Sequence, residues 1–166
     1  MAALDILKYP DPCLKQACAP VTVFDDGLQS FLNDLQETLD AAPGCVGIAA
    51  PQVGVFKRIV IVDVSAKPKF KNNGRLLLIN PEIISWEGSE IGREGCLSVP
   101  DYTGNVVRAE SIELEALDSE GNLQRYEMEG YEARVAQHEL DHLDGLLFLD
   151  RLVSRRSDLF KRKKYN

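Results

Sequence analysis

The sequence predicts an α+β fold: mixed or antiparallel sheets wrapped around one central helix, with a C-terminal helix behind. Three observations carry that prediction. Apolar, often β-branched runs recur through the middle of the chain, at 58–64, 76–80 and 111–117. Apolar residues at helical spacing occur once before this strand-rich stretch and once after it. The chain has 166 residues and is 45% hydrophobic, which suits a single domain over 1–166 with a sizeable core.

Residues 4–22 read as an irregular start. Tyr9-Pro10-Asp11-Pro12 is turn chemistry, because each proline pushes its predecessor out of the α region. Cys13 and Cys18 are read as small apolar packers. Leu28, Phe31, Leu32, Leu35 and Leu39 fall on one helical face, predicting a helix from Asp25 to Ala41 with Asp25 or Asp26 as N-cap and Pro43-Gly44 as its stop. The dense small residues of Gly44 to Gln52 let another backbone approach closely. Arg58–Val64 is a strand, followed by a polar hairpin loop through Asn72-Asn73-Gly74. Leu76–Asn80 is a second strand closed by Pro81, and Ile83–Trp86 is a candidate continuation. Val106–Ala109 and Ser111–Leu117 alternate, with Ile112, Leu114 and Ala116 on one side and Glu113 and Glu115 on the other. Asp118–Asn122 is a hairpin turn and Leu123–Met128 the returning strand. Gly130 precedes the late helix, Gly145 caps its end, and a last helix is expected from Asp150 to Lys163.

Charge and composition narrow the function classes. A net charge of −7 argues against nucleic acid as the main ligand. Seven Lys/Arg against Asp150 and Asp158 give residues 150–166 a local +5, which leaves −12 on the rest. That basic tail is either a docking surface for something anionic or a solvated helix end. The start lacks the pattern of a secretory signal, and no apolar run is long enough to span a bilayer. Four cysteines without paired spacing point to a reducing compartment, read here as the cytoplasm.

The chemistry is concentrated in Gln137-His138-Glu139-Leu140-Asp141-His142, which contains both histidines of the chain. Residues four apart share a helix face, so both rings can close on one metal ion. Glu139, one position after the first ring, lies beside the metal rather than on it. This is the His-Glu-x-x-His arrangement of metal-dependent hydrolases. The apolar residues Val135, Leu140 and Leu143 turn this face inward. Two imidazoles and one thiolate would leave a fourth tetrahedral position open, as catalytic sites do. Chemistry alone leaves Cys45 and Cys96 both eligible as the thiolate, and ligand type alone suggests zinc.

Three stretches together resemble the peptide deformylases. Cys45 to Gln52 stands where the family has its glycine-hydrophobic-glycine-hydrophobic-Ala-Ala-x-Gln loop, Glu94-Gly95-Cys96-Leu97-Ser98 matches the second motif unaltered, and Gln137 to His142 matches the third. Tyr9-Pro10-Asp11-Pro12 and Leu143 to Phe148 also agree. Cys45 departs from the family's usual first glycine, at a position bordering the substrate strand.

The resemblance implies Cys96, His138 and His142 as metal ligands, and ferrous iron as the metal, with nickel, cobalt or zinc as substitutes. It implies Glu139 as general base and then acid, and the Gln52 amide and Leu97 N–H as oxyanion donors. Gln137 and Asp141 are candidates to orient loop or ligand through hydrogen bonds, with Asp141 read equally as an ordinary helix residue. The implied substrate is an N-formylmethionyl nascent peptide, deformylated to release formate. Its backbone would pair with Val46, Gly47 and Gly95, and its methionine side chain would lie near Val135. The tail would then contact ribosomal RNA. The competing readings are a metallopeptidase and a non-enzymatic structural metal module.

Overall fold

The structure is a computed structural model. It describes residues 4–42, 44–67, 69–152, 154 and 159–161, and for Asp101 the backbone alone. α1 is Asp26–Asp40, with the Asp25 carboxylate accepting the Leu28 N–H at 2.9 Å as N-cap. Pro43 lies outside the described residues. α2, Gly130–Leu143, is the histidine helix. Gly145 follows it at φ +76, where the carbonyl of Lys15 would meet any Cβ at 2.4 Å, so only glycine fits there.

Eight strands form two sheets: β1 Gly47–Ala49, β2 Ile59–Val62, β3 Leu76–Glu87, β4 Glu90–Cys96, β5 Val99–Arg108, β6 Ser111–Leu117, β7 Leu123–Glu129 and β8 Leu159–Lys161. The larger sheet has the order β1-β2-β3-β6-β7 and the smaller β4-β5-β8, and all strand pairs are antiparallel. The expected α+β class holds, and both sheets lie against α2.

Side-chain alternation explains how β2 can be buried on both faces. Ile59 and Ile61 pack with Leu28, Leu32, Leu35 and Leu39 of α1. Val60 and Val62 point the other way, to Ala133, Val135, Ala136, Leu140 and Leu143 of α2. The larger sheet is therefore sandwiched between the two helices. A third cluster joins Cys96, Val99 and Val106 of the smaller sheet to Leu14, Leu147 and Phe148, and places the cysteine strand on the opposite side of α2.

Three sequence expectations are corrected. Pro81 does not close β3, which continues through it to Glu87. The pairing with β6 shifts register between Ile79 and Glu82, and a bulge tolerates a residue without an N–H. Asn80, at φ +51, is fixed there by its amide, which donates to the Val21 carbonyl and accepts the Val21 N–H. Second, the β4–β5 hairpin extends well beyond Val106–Ala109. Its Gly92, Gly95, Gly104 and Asn105 have low strand propensity, and tertiary pairing overrides it.

Third, the expected helix from Asp150 to Lys163 is not formed in the described residues. Phe148–Arg151 is one 3₁₀ turn, and Leu159–Lys161 is β8, paired with Tyr102 to Gly104. The free edge of β5 offers a row of backbone partners that outweighs a local helical preference. The rest of that expected helix, at 153, 155–158 and 162–163, lies outside the described residues. Among those described, no helix is long and apolar enough to cross a membrane.

Leu35 is fully buried between α1 and the sheet, on the side away from the histidines. Leu35→Ala should lower unfolding free energy by about 2–5 kcal/mol while leaving turnover intact below the transition. Urea titration of the variant and an activity assay at low urea check both halves.

Candidate active site

The helical spacing of His138 and His142 sets their rings edge to face, centroids 5.1 Å apart. β4 brings Cys96 to them from the other sheet. One ligand atom from each of Cys96, His138 and His142 lies within 4.8 Å of the others, and the Cys96 sulfur is 3.4 Å from His142 Nε2. The structure thus brings Cys96, rather than Cys45, to the rings. Cys45 lines the adjoining cavity instead.

Those separations fit a metal ion. Tetrahedral ligands at usual zinc–sulfur and zinc–nitrogen lengths stand about 3.6 Å apart. Burial opposes a proton on His138, but the Cys96 sulfur and Glu94 carboxylate outweigh it and raise its pKa well above the usual value. His142 is driven the other way by burial, then by His138 and Arg108.

Behind His138 lies a buried set of charges. His138 Nδ1 is 2.9 Å from Glu94 Oε1, which orients Nε2 toward the cysteine. Arg108 grips Glu94 with two bonds of 2.9 Å, and Arg134 Nη1 adds a third at 2.7 Å. Arg134 also donates to the Val106 and Glu90 carbonyls. Arg108 continues to Asp141, which Arg151 holds through two bonds of 3.0 Å. Asp141 is therefore no ordinary surface residue of the helix. Gln137 ties α2 to the corner between β5 and β6, accepting the Ala109 N–H and donating to the Ala109 carbonyl.

Sequence reasoning missed the roles of Glu94, Arg108, Arg134 and Arg151. The available signal was a charged residue where the pattern calls for an apolar one, such as Arg134 within the inward face of α2. Nothing in the sequence paired these four.

Two further residues stand beside the cluster. Gln52 is buried, its carbonyl oxygen accepting the Ala49 N–H at 2.9 Å. This turns its NH₂ toward Ser98 Oγ at 3.1 Å and the Cys96 sulfur at 3.5 Å. Glu139 Oε1 is 3.8 Å from His142 Nε2 and buried, without a hydrogen-bond partner among the described residues. Burial, with the Glu94 charge and against the pull of His138 and Arg108, raises the Glu139 pKa to about 7. Gly47 makes room for it, since a Cβ there would stand 2.5 Å from Glu139 Oε2 and 3.0 Å from Val135. A cavity of about 530 Å³ opens onto these groups. Val46, Gly47, Gly95, Leu97 and Val135 all line it.

A three-ligand cluster beside a buried, proton-hungry carboxylate, in an α+β scaffold, defines a metallohydrolase. Residues 3–158 match the profile of the polypeptide deformylase family. The chain is 46% identical to the peptide deformylase of Alkalilimnicola ehrlichii over 163 residues, which cover 98% of this chain and 89% of that one. It is 42% identical to that of Thermodesulfovibrio yellowstonii, covering 98% and 97%. A crystal structure of a peptide deformylase from Legionella pneumophila superposes with a TM-score of 0.85 at 40% identity, over 93% of this chain and 89% of that one. One from Thermotoga maritima gives 0.83 at 38%, over 92% and 99%. The chain belongs to the peptide deformylase family, metalloenzymes that remove N-formyl groups from nascent peptides.

Glu94 yields a stability prediction. Burial pushes its pKa up, but hydrogen bonds from Arg108 and His138 outweigh burial and hold it well below the usual carboxylate range. A depressed folded pKa contributes stability above the unfolded value, about 4.3, and loses it as pH falls toward the folded one. The stability gap between wild type and Glu94→Gln should therefore be wide at pH 7 and narrow progressively below about 4.3. Urea midpoints across that range measure it.

Proposed function

We propose that this chain, acting as one catalytic domain, removes the formyl group from N-formylmethionyl ends of newly made polypeptides and releases formate. The observation that carries the reading is the Glu139 carboxylate, buried and without a hydrogen-bond partner at Oε1 among the described residues, beside the Cys96, His138 and His142 ligand atoms. Those three residues would hold one divalent cation, ferrous iron in the cell, with zinc, nickel or cobalt as substitutes. Bound there, the cation supplies Lewis acidity that brings amide hydrolysis within reach at neutral pH.

The chain's own residues do the rest. The peptide lies extended between the Val46–Gly47 edge and Gly95, with its methionine side chain against Val135. The Gln52 NH₂ and Leu97 N–H donate to the oxygen of the formyl carbonyl as it gains charge. One such donor is commonly worth about 2.7–4 kcal/mol of barrier, and the Ala49 contact pre-sets the Gln52 side chain. Glu139 accepts a proton from the attacking water and delivers it to the departing nitrogen. The carbon–nitrogen bond breaks, leaving formate and a free methionyl amine. A metallopeptidase would instead release an amino acid from an unblocked peptide.

We place the chain in the cytoplasm, where nascent peptides are met, and assign the basic segment 150–166 to contact with ribosomal RNA. Its local +5 on an otherwise acidic protein supports this. Neutralising Arg162, Lys163 and Lys164 should weaken co-sedimentation with ribosomes at low salt, and unchanged co-sedimentation would refute the assignment.

Glu139→Ala should retain its metal yet release formate from a formyl-Met peptide slower by several orders of magnitude. In the wild type, kcat/KM should fall on acidification with a pKa between the free carboxylate's value, about 4.3, and about 7. Metal analysis beside a formate assay tests the reading, and undiminished turnover in the variant sinks it.

A further inference from the structure

The side chains of β4 alternate between two faces. Glu94 and Cys96 point inward, to His138 and His142. Arg93 and Gly95 are exposed on the other face, and, like Glu94 and Cys96, both line the cavity. The Arg93 guanidinium lies 3.7 Å from the centroid of the Phe160 ring of β8. Among the described residues its hydrogen bonds go to neutral acceptors, Asn105 Oδ1 at 3.3 Å and Thr103 Oγ1 at 3.4 Å, and no carboxylate pairs with it.

The direction of the side chain matters. Arg93 is paired with Asn105 and Glu94 with Gly104, and the register shifts before Cys96 pairs with Val99. The Thr103 hydroxyl that Arg93 reaches lies two residues back along β5 from Asn105, on the side of that shift and of Gly95. Arg93 thus leans along the sheet toward the metal-binding end of its strand. Gly95 has no side chain to fill the space between.

We propose that Arg93 is a specificity-determining residue that selects a carboxylate on the second residue of the formylated peptide. The inference rests on the deformylase reading above. A peptide whose methionine points inward to Val135 must turn its second side chain outward. If its backbone pairs with Gly95, that second side chain rises on the Arg93 face, directly over the glycine. Neighbouring strands lie about 4.8 Å apart, so the arm of a glutamate spans the gap better than that of an aspartate. Phe160 and Thr103 hold the guanidinium flat, with its remaining N–H groups available to a carboxylate. The third residue points inward again and does not meet Arg93.

Two isomeric substrates test this, formyl-Met-Glu-Ala-amide and formyl-Met-Ala-Glu-amide. They carry the same charge, so the overall field of an acidic protein cancels in their ratio. Wild-type kcat/KM should favour glutamate at the second position by about three- to fivefold, the scale of an exposed ion pair. The preference should vanish in Arg93→Ala and invert in Arg93→Glu. Salt supplies a check independent of any variant: the wild-type ratio should approach one between about 0.05 M and about 0.5 M NaCl, as screening lengthens its hold on exposed charges. Equal rates on the two peptides in wild type, a preference that survives Arg93→Ala, or a salt-insensitive ratio overturns the assignment of Arg93. Absence of formate from both peptides overturns the deformylase reading instead.

Discussion

A carboxylate clamped between two guanidiniums sets the direction of the first histidine, and the geometry of the centre follows from it. Glu94 lies between Arg108 and Arg134, with the side chains of Glu94 and Arg108 only 5% and 4% exposed. Ion pairs this deep contribute little net stability compared with apolar residues of the same size. What they confer is orientation: Glu94 fixes His138 through Nδ1 and leaves Nε2 for a metal. Removing one member would leave the others charged and buried, at a cost of about 3–5 kcal/mol. The cluster joins β4, β5 and α2, so the contact that aims the ligand also locks the smaller sheet to the central helix.

Glu139 works by the opposite logic. Glu94, on β4, is satisfied at both oxygens and held ionised, while Glu139, on α2, is buried with one oxygen lacking a hydrogen-bond partner among the described residues and its pKa lifted toward neutrality. Two carboxylates within one site thus differ in role through surroundings alone. Gly47 completes the arrangement, because any side chain there would occupy the space the Glu139 carboxylate needs. A single missing Cβ therefore serves both the backbone edge that a peptide would pair with and the carboxylate proposed as base beside it.

Much of this was legible in the sequence. The period of α1, the alternation of β6 and the four-residue spacing of the histidines each follow from local geometry, and each is found in the structure. The placement of Cys96 is different in kind. No periodicity links it to a histidine 42 residues later, and only resemblance singled it out among four cysteines. The Glu94–Arg108–Arg134 cluster was illegible because it joins three segments through long-range charge pairing, which leaves no spacing to read. The end of the chain misled for a related reason. Local preference at 150–163 favours a helix, while the partner that claims Leu159–Lys161 is the edge of β5, itself rich in residues that rarely mark strands.

The alternation of β4 links the buried ligand cluster to the exposed rim of the cavity. Because neighbouring side chains on a strand point to opposite faces, one seven-residue segment serves two environments separated by little more than a backbone. Its inward residues, Glu94 and Cys96, are buried, one aiming a metal ligand and the other supplying one. Its outward residues, Arg93 and Gly95, stay exposed along the path a peptide would take. A slip of one residue in the β4–β5 pairing would exchange the two sets, placing an arginine and a glycine against the histidines. The register is held against that slip by the inward set itself, since only Glu94 can meet Arg108, Arg134 and His138 at once. The charge cluster that orients His138 thereby also decides which side chains of β4 are buried against the histidines and which stay exposed at the cavity rim.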